Sequence, residues 1–255
     1  MLKSLRASFV FAVGFLTILP LPWRFEVLSD RDVARSAASF PLVGLLIGGC
    51  LWGCWALSSR YLPVEVAVFL IVLVLTVIAG GLHLDAIADT FDAIAARKSI
   101  AEKLGIMKSP TVGPFGVAAI VFCIMLKYLL LKTPLGTNAY ALVLCPVVGR
   151  SCCVYAMYAG KSAMKDGLGR VFIENTTPWI FLLSLLTAIS IMAAFGIRYL
   201  AILPACYAFT HLCVMAFGKL LGGLNGDTLG ALIELNELLF LLILNVLQGF
   251  MCDFF

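Results

Sequence analysis

Apolar residues fall along this chain in blocks, and the polar residues collect between them. Seven blocks come close to the roughly 20 residues a helix needs to cross about 30 Å of hydrocarbon. They are 39–57, 63–82, 113–131, 138–157, 178–197, 199–217 and 229–250. None shows the two-residue alternation of a barrel strand, so helices, which satisfy their backbone groups internally, are the expected spanning elements. The pattern predicts an all-α fold, a polytopic transmembrane helical bundle of about seven spans, forming one integral membrane domain over residues 1–255. Arg198 is nearly the whole connection between the fifth and sixth blocks. A shorter apolar stretch, Phe9 to Leu21, follows Lys3 and Arg6 as in a signal peptide. It lacks a small-x-small cleavage site and leads into Pro22, Trp23 and Arg24, so it is expected to be retained, lying in the interface or re-entrant.

Composition supports the membrane reading. The 255 residues are 62% hydrophobic and 13% charged, against about half apolar and a quarter charged in soluble domains. The net charge of +4 carries no basic stripe interleaved with aromatics, which excludes nucleic acid as the expected partner. Nine cysteines without a C-x-x-C pair lie in apolar surroundings and read as small buried residues. The placement of Lys and Arg sets an orientation. Thirteen fall on one side of the seven-span arrangement, three (Arg60, Lys132 and Arg198) on the other, and Lys127 and Arg150 inside spans. The richer side is expected to be cytoplasmic, with the N-terminus inside and the chain in the cell inner membrane.

On that side lies G-G-L-H-L-D-A-I-A-D-T-F-D, Gly80 to Asp92. Asp85, Asp89 and Asp92, spaced i, i+4, i+7, share one helical face. Two such charges about 6 Å apart repel by roughly 3 kcal/mol at an effective dielectric near 20, and no basic residue stands between them. A hard divalent cation, Mg²⁺ first, would relieve the repulsion. His83 belongs to the turn after Gly80-Gly81 and is a candidate ligand, proton carrier or structural histidine. A second acidic group opens the last span: Asp227, a candidate helix cap or metal ligand, then Glu234 and Glu237 a turn or two deeper, with Arg150 as their expected partner. The Gly-rich basic segments Met107–Gly116 and Gly160–Arg170 offer Lys108, Lys161, Lys165 and Arg170 as phosphate partners, although neither is a P-loop. Carboxylates for a metal and cations for phosphates on one face are the two components of phosphoryl transfer.

These segments resemble the cobalamin synthase family, the adenosylcobinamide-GDP ribazoletransferases. The resemblance runs in order through residues 15–22, 39–48, 80–92, 106–117, Gly149-Arg150, 167–169 and 226–237. Ala86 stands where the family often has Gly. Gly105 and Ser109–Thr111 lack the family's acidic and Asp-Ser-Arg residues, which counts against a ligand role for that segment. The resemblance implies joining adenosylcobinamide-GDP to α-ribazole or its 5′-phosphate, with release of GMP and a need for Mg²⁺. Asp85, Asp89, Asp92 and Asp227 would hold the ion. Asp89, His83 and Asp227 are the catalytic candidates, and Lys108, Lys161, Lys165 and Arg170 would neutralise GMP. The lipid bilayer is the other expected partner, and a homo-oligomer is compatible with all of this. Two rivals fit less well. A CDP-alcohol phosphotransferase would show a D-G-x-x-A-R…G-x-x-x-D-x-x-x-D pattern, and a cation transporter would carry polar groups through both halves of the bilayer.

Overall fold

The computed structural model describes residues 2–20, 29–135 and 139–252; Pro22, Trp23 and Arg24 lie outside them. Helices α1 (Leu2–Leu16) and α2 (Asp30–Ser36) precede the first full span, α3 (Phe40–Ser58). The Ser29 side chain caps α2 by accepting the Asp32 N–H, and Pro41 occupies the first turn of α3, where a missing N–H costs nothing. Next come α4 (Val64–Ile78), α5 (Leu82–Ala95) and α6 (Ile100–Ile106), the last opened by a Ser99–Glu102 capping box. The remaining helices are α7 (Pro114–Leu135), α8 (Ala141–Ala159), α9 (Leu168–Asn175), α10 (Pro178–Phe195), α11 (Leu203–Leu221) and α12 (Gly226–Cys252). Among the described residues there is no strand; one bridge joins Ser162 to Leu224.

The helical runs Asp30–Ser58, Pro114–Thr133, Ala141–Ala159, Pro178–Phe195, Ile197–Leu221 and Gly226–Gln248 are each long and apolar enough to cross a membrane. The seventh expected span is broken. Helices α4 and α5 qualify only as a pair, bent by 84°. The break sits at Gly80 and Gly81, whose φ of 65° and 71° L side chains rarely adopt. Helix α5 therefore turns off the span and lies across the end of the bundle. Helix α1 rises about 22 Å over its length, short of the hydrocarbon thickness. The tight link at Arg198 becomes a break at Gly196 followed by a 3₁₀ stretch, Ile197–Ile202.

Helix α8 is the buried centre of the bundle. Its neighbour α3 comes so close that a Cβ on Gly48 would sit 2.5 Å from the Val143 Cα, and one on Gly44 2.6 Å from the Pro146 carbonyl oxygen. The G-x-x-x-G spacing thus brings two backbones together, which in lipid is where helix association gains its dispersion energy. The outward faces carry Phe69, Phe122, Leu129, Leu186 and Leu212, all more than half exposed or close to it. Apolar cover of this extent fits a lipid surround. The chain is a multi-pass membrane protein.

Candidate active site

Helix α5 is held across the bundle end by packing on α12 and α7. A Cβ on Gly230 would lie 2.6 Å from that of Ala86, so α12 has no side chain where α5 crosses it. The crossing brings Asp85, Asp89 and Asp92 of α5 toward Asp227 in the first turn of α12. Asp89 reports the result. Burial, then the carboxylates of Asp85, Asp227 and Asp92, push it from 3.8 up to about 6. Even so, among the described residues no three His, Cys, Asp or Glu side chains are gathered tightly enough to grip one ion.

One of the acids has a local role that the sequence did not reveal, and another lacks the cap role expected of it. Asp92 accepts the Gly113 N–H at 2.6 Å on one oxygen and the Gly116 N–H at 2.8 Å on the other. It thereby ties α5 to the free amides at the start of α7. Asp227 does not cap α12. Asn225 does so, through a reciprocal box in which its side-chain oxygen accepts the Thr228 N–H at 2.9 Å and its own N–H donates to the Thr228 hydroxyl at 2.8 Å. Asp227 is left with one weak contact, from the Asn225 amide at 3.4 Å. The N-x-x-T spacing at 225–228 was the readable signal for this cap.

Glu234 and Glu237 lie deeper, among buried ion pairs. Glu237 meets Arg150 and Lys127, each at 2.5 Å, and Lys127 also meets Glu234 at 2.6 Å. The Cys123 thiol donates to Glu234 at 3.1 Å. Arg150 is the partner expected. Lys127 is not, although a lone lysine inside an apolar block was the clue. Two acids and two bases sum to zero charge, which is how four ionisable groups persist inside a span.

A cavity of about 410 Å³ opens beside Asp227, whereas Asp85, Asp89 and Asp92 do not line it; its volume is within the usual range for small-molecule sites. Its rim carries the exposed Lys108, Asp166, Gly167 and Arg170 and the half-buried Asp227. Its buried part is lined by Phe40, Phe172, Met157, Ile233 and His83. Lys108 and Arg170 therefore face the site, whereas Lys161 and Lys165 do not line it. Those two act through their backbones: the Lys161 carbonyl accepts the Leu224 N–H at 2.7 Å and the Lys165 carbonyl accepts from Arg170 at 2.6 Å. The Arg170 guanidinium also holds Glu174 at 2.8 Å, which fixes its place at the rim. The 160–170 segment reaches α12 through the Ser162–Leu224 bridge. Acidic and basic groups from four separated parts of the chain thus meet at one end of the bundle.

Residues 8–245 match the family described as cobalamin-5-phosphate synthase. The chain is 36% identical over 246 residues to an adenosylcobinamide-GDP ribazoletransferase of Geotalea daltonii, covering 96% of this chain and 99% of the relative. It is 34% identical over 244 residues to the one from Clostridium tetani, covering 92% and 95%. A third relative with that name, from Caldanaerobacter subterraneus, is 32% identical over 246 residues, covering 94% and 98%. No solved structure matches the chain.

Proposed function

The chain belongs to the cobalamin-5-phosphate synthase family, and from that membership we propose that it joins adenosylcobinamide-GDP to α-ribazole, or to α-ribazole 5′-phosphate. GMP is released, and adenosylcobalamin or its 5′-phosphate is formed. The observation that supports the reading is the electrostatic coupling of Asp89 to Asp85, Asp92 and Asp227 at one end of the bundle, where Asp227 also lines a cavity rimmed by Lys108 and Arg170.

A ribose hydroxyl of the acceptor attacks the phosphorus that bears the cobinamide linker, and the bond from that phosphorus to the GMP oxygen breaks. Lys108 and Arg170 offset the charge growing on GMP, and the amides opening α12 add positive potential at the same rim. An Asp89 oxygen not taken up by the ion would accept the hydroxyl proton. The donor set suits Mg²⁺: hard oxygen ligands, mutual repulsion, and no nearby base to relieve it. One or two at a time of Asp85, Asp89, Asp92 and Asp227 would hold the ion, with water and substrate completing its shell; the Asp92 oxygens each keep a lone pair beyond their amide bond. When bound, Mg²⁺ would neutralise pyrophosphate oxygens. The site faces the cytoplasm at the inner membrane, since thirteen of the eighteen Lys and Arg belong to that side.

The test uses purified protein in lipid nanodiscs with adenosylcobinamide-GDP, Mg²⁺ and isotope-labelled α-ribazole. Label in the corrinoid with equimolar GMP is expected. Its absence, with an active family member as control, would remove the assignment.

A further inference from the structure

A second cavity, of about 610 Å³, opens where α2, α9 and the start of α10 meet α1. Helix α9 contributes to both cavities, Arg170 and Phe172 to the first and Glu174 and Asn175 to this one, yet the two share no lining residue. The lining of the second is graded. Arg31 and Arg35 stand on α2, Asn175 and Thr177 at the junction of α9 and α10, and Ile180 and Leu183 in the first two turns of the α10 span. The acids close by are already held: Asp32 by Arg35 at 3.1 Å, and Glu174 by Arg170 at 2.8 Å. Arg31 makes no ion pair among the described residues. The first turn of α10 adds positive potential, because Thr177 caps the Ile180 N–H, Pro178 has no N–H, and the Trp179 N–H has no partner within the helix. Ser8 of α1 is a second polar group without a partner. It is 5% exposed, lines the cavity, and makes no hydrogen bond among the described residues, while its Oγ is not closed off. On the outer side the wall is apolar. Trp179 is 72% exposed and Leu183 54%, and only 22% of the α10 span is buried in the protein. Lipid chains therefore lie along α10, with an indole at the level where tryptophan marks the membrane interface.

We propose that this second cavity seats one anionic glycerophospholipid from the leaflet at the basic end of the bundle. Arg31, Arg35 and the opening of α10 take its phosphate, Ser8 meets a headgroup or ester oxygen, and its chains run down past Trp179 and Leu183. Basic pockets between spanning helices select anionic headgroups in this way. A zwitterionic lipid would bring its own cation against Arg31 and Arg35, which repel it. Free phosphate would satisfy the arginines and leave the apolar wall without an occupant. The lipid is a structural ligand and not a substrate, since nothing that lines its seat lines the active-site cavity. The inference stands whether or not the chain is a ribazoletransferase.

The experiment is native mass spectrometry of the whole chain in detergent micelles, titrated in turn with palmitoyl-oleoyl phosphatidylglycerol and palmitoyl-oleoyl phosphatidylcholine. The first phosphatidylglycerol is expected to bind about tenfold more tightly than the first phosphatidylcholine, as basic side chains near a headgroup allow. In the double variant Arg31→Gln/Arg35→Gln the two lipids become equivalent. The control Arg97→Gln/Lys98→Gln removes the same charge from exposed positions outside both cavities, and it keeps the tenfold preference. A preference that survives Arg31→Gln/Arg35→Gln overturns the proposal. So does one that the control pair abolishes equally, because the net charge of the chain would then be the cause. A millimolar excess of inorganic phosphate leaves the phosphatidylglycerol adduct in place; its displacement would mean a free-anion site and sink the lipid assignment. If Arg31→Gln/Arg35→Gln does not fold, the wild-type arm decides alone, since equal affinity for the two lipids there is also an overturning result.

Discussion

A single carboxylate shows the tension between stability and chemistry in this site. Asp89 is raised to about 6 by burial and like charges, so in metal-free protein its ionisation between 3.8 and 6 opposes folding. That contribution is most favourable at low pH and is lost as pH rises through about 6. Asp89→Asn should therefore stabilise the metal-free protein at pH 7. After discounting for solvent screening, a gain of about 1 kcal/mol corresponds to roughly 2–4 °C in melting temperature, read in EDTA by thermal unfolding in detergent. The same change should lower kcat by about 10²–10⁴. At limiting Mg²⁺, wild-type activity should fall as pH drops through about 6, and added Mg²⁺ should move that fall to lower pH, as competition between proton and ion requires. The buried ion pairs behave differently. Glu237 touches both Lys127 and Arg150, whereas Glu234 touches Lys127. Glu237→Gln leaves two buried cations sharing one acid and should cost about 3–5 kcal/mol; Glu234→Gln should cost less, because Lys127 keeps Glu237. The yield of monodisperse protein in detergent after heating orders the two. The aspartates at i, i+4, i+7 were legible because helical spacing alone puts them on one face. Lys127 was not, because its partners lie 107 to 110 positions away and periodicity carries no information about which helices touch.

Helix contacts, more than helix positions, decide what these elements do. All seven apolar blocks became helices within a few residues of their expected bounds, since the length of an apolar run is fixed by the hydrocarbon it must cross. Direction was not legible. Hydropathy gives the same weight to α4 whether α5 continues it or turns by 84°, and the turn is what carries Asp85 and Asp89 over Asp227. The depth of the α3–α8 contact was equally silent until the backbones were placed. Gly48→Ala should push Val143 and α3 apart and cost about 1–3 kcal/mol, whereas Gly49→Ala, with nothing within 4 Å of its added Cβ, should be neutral or gain up to about 1 kcal/mol. Thermal unfolding of the two variants in the same detergent separates a packed interface from a general dislike of helix glycine. Equal effects would mean that the two helices do not approach as closely as described.

At the scale of the whole molecule, the chemistry needs one polar end and the membrane needs a sided protein, and the same residues serve both. Lys108 and Arg170 rim the cavity, and with Lys161 and Lys165 they belong to the basic excess proposed to orient the chain. Helix α3 gives the ruler. It starts at Phe40, in the cavity wall, and ends at Ser58, about 27 Å along its axis. Tyr61, 77% exposed just beyond that end, therefore sits across the bilayer from Lys165. Tyr61→Cys and Lys165→Cys, placed singly in an otherwise cysteine-free chain in bacterial cells, should label differently with a membrane-impermeant maleimide. Tyr61→Cys should react in spheroplasts, and Lys165→Cys only after the inner membrane is permeabilised. A negatively charged nucleotide substrate made inside the cell can reach a site on that side without crossing lipid, whereas a site on the opposite face would need a carrier for it. Labelling in the reverse order would therefore overturn both the orientation and the supply of substrate that depends on it.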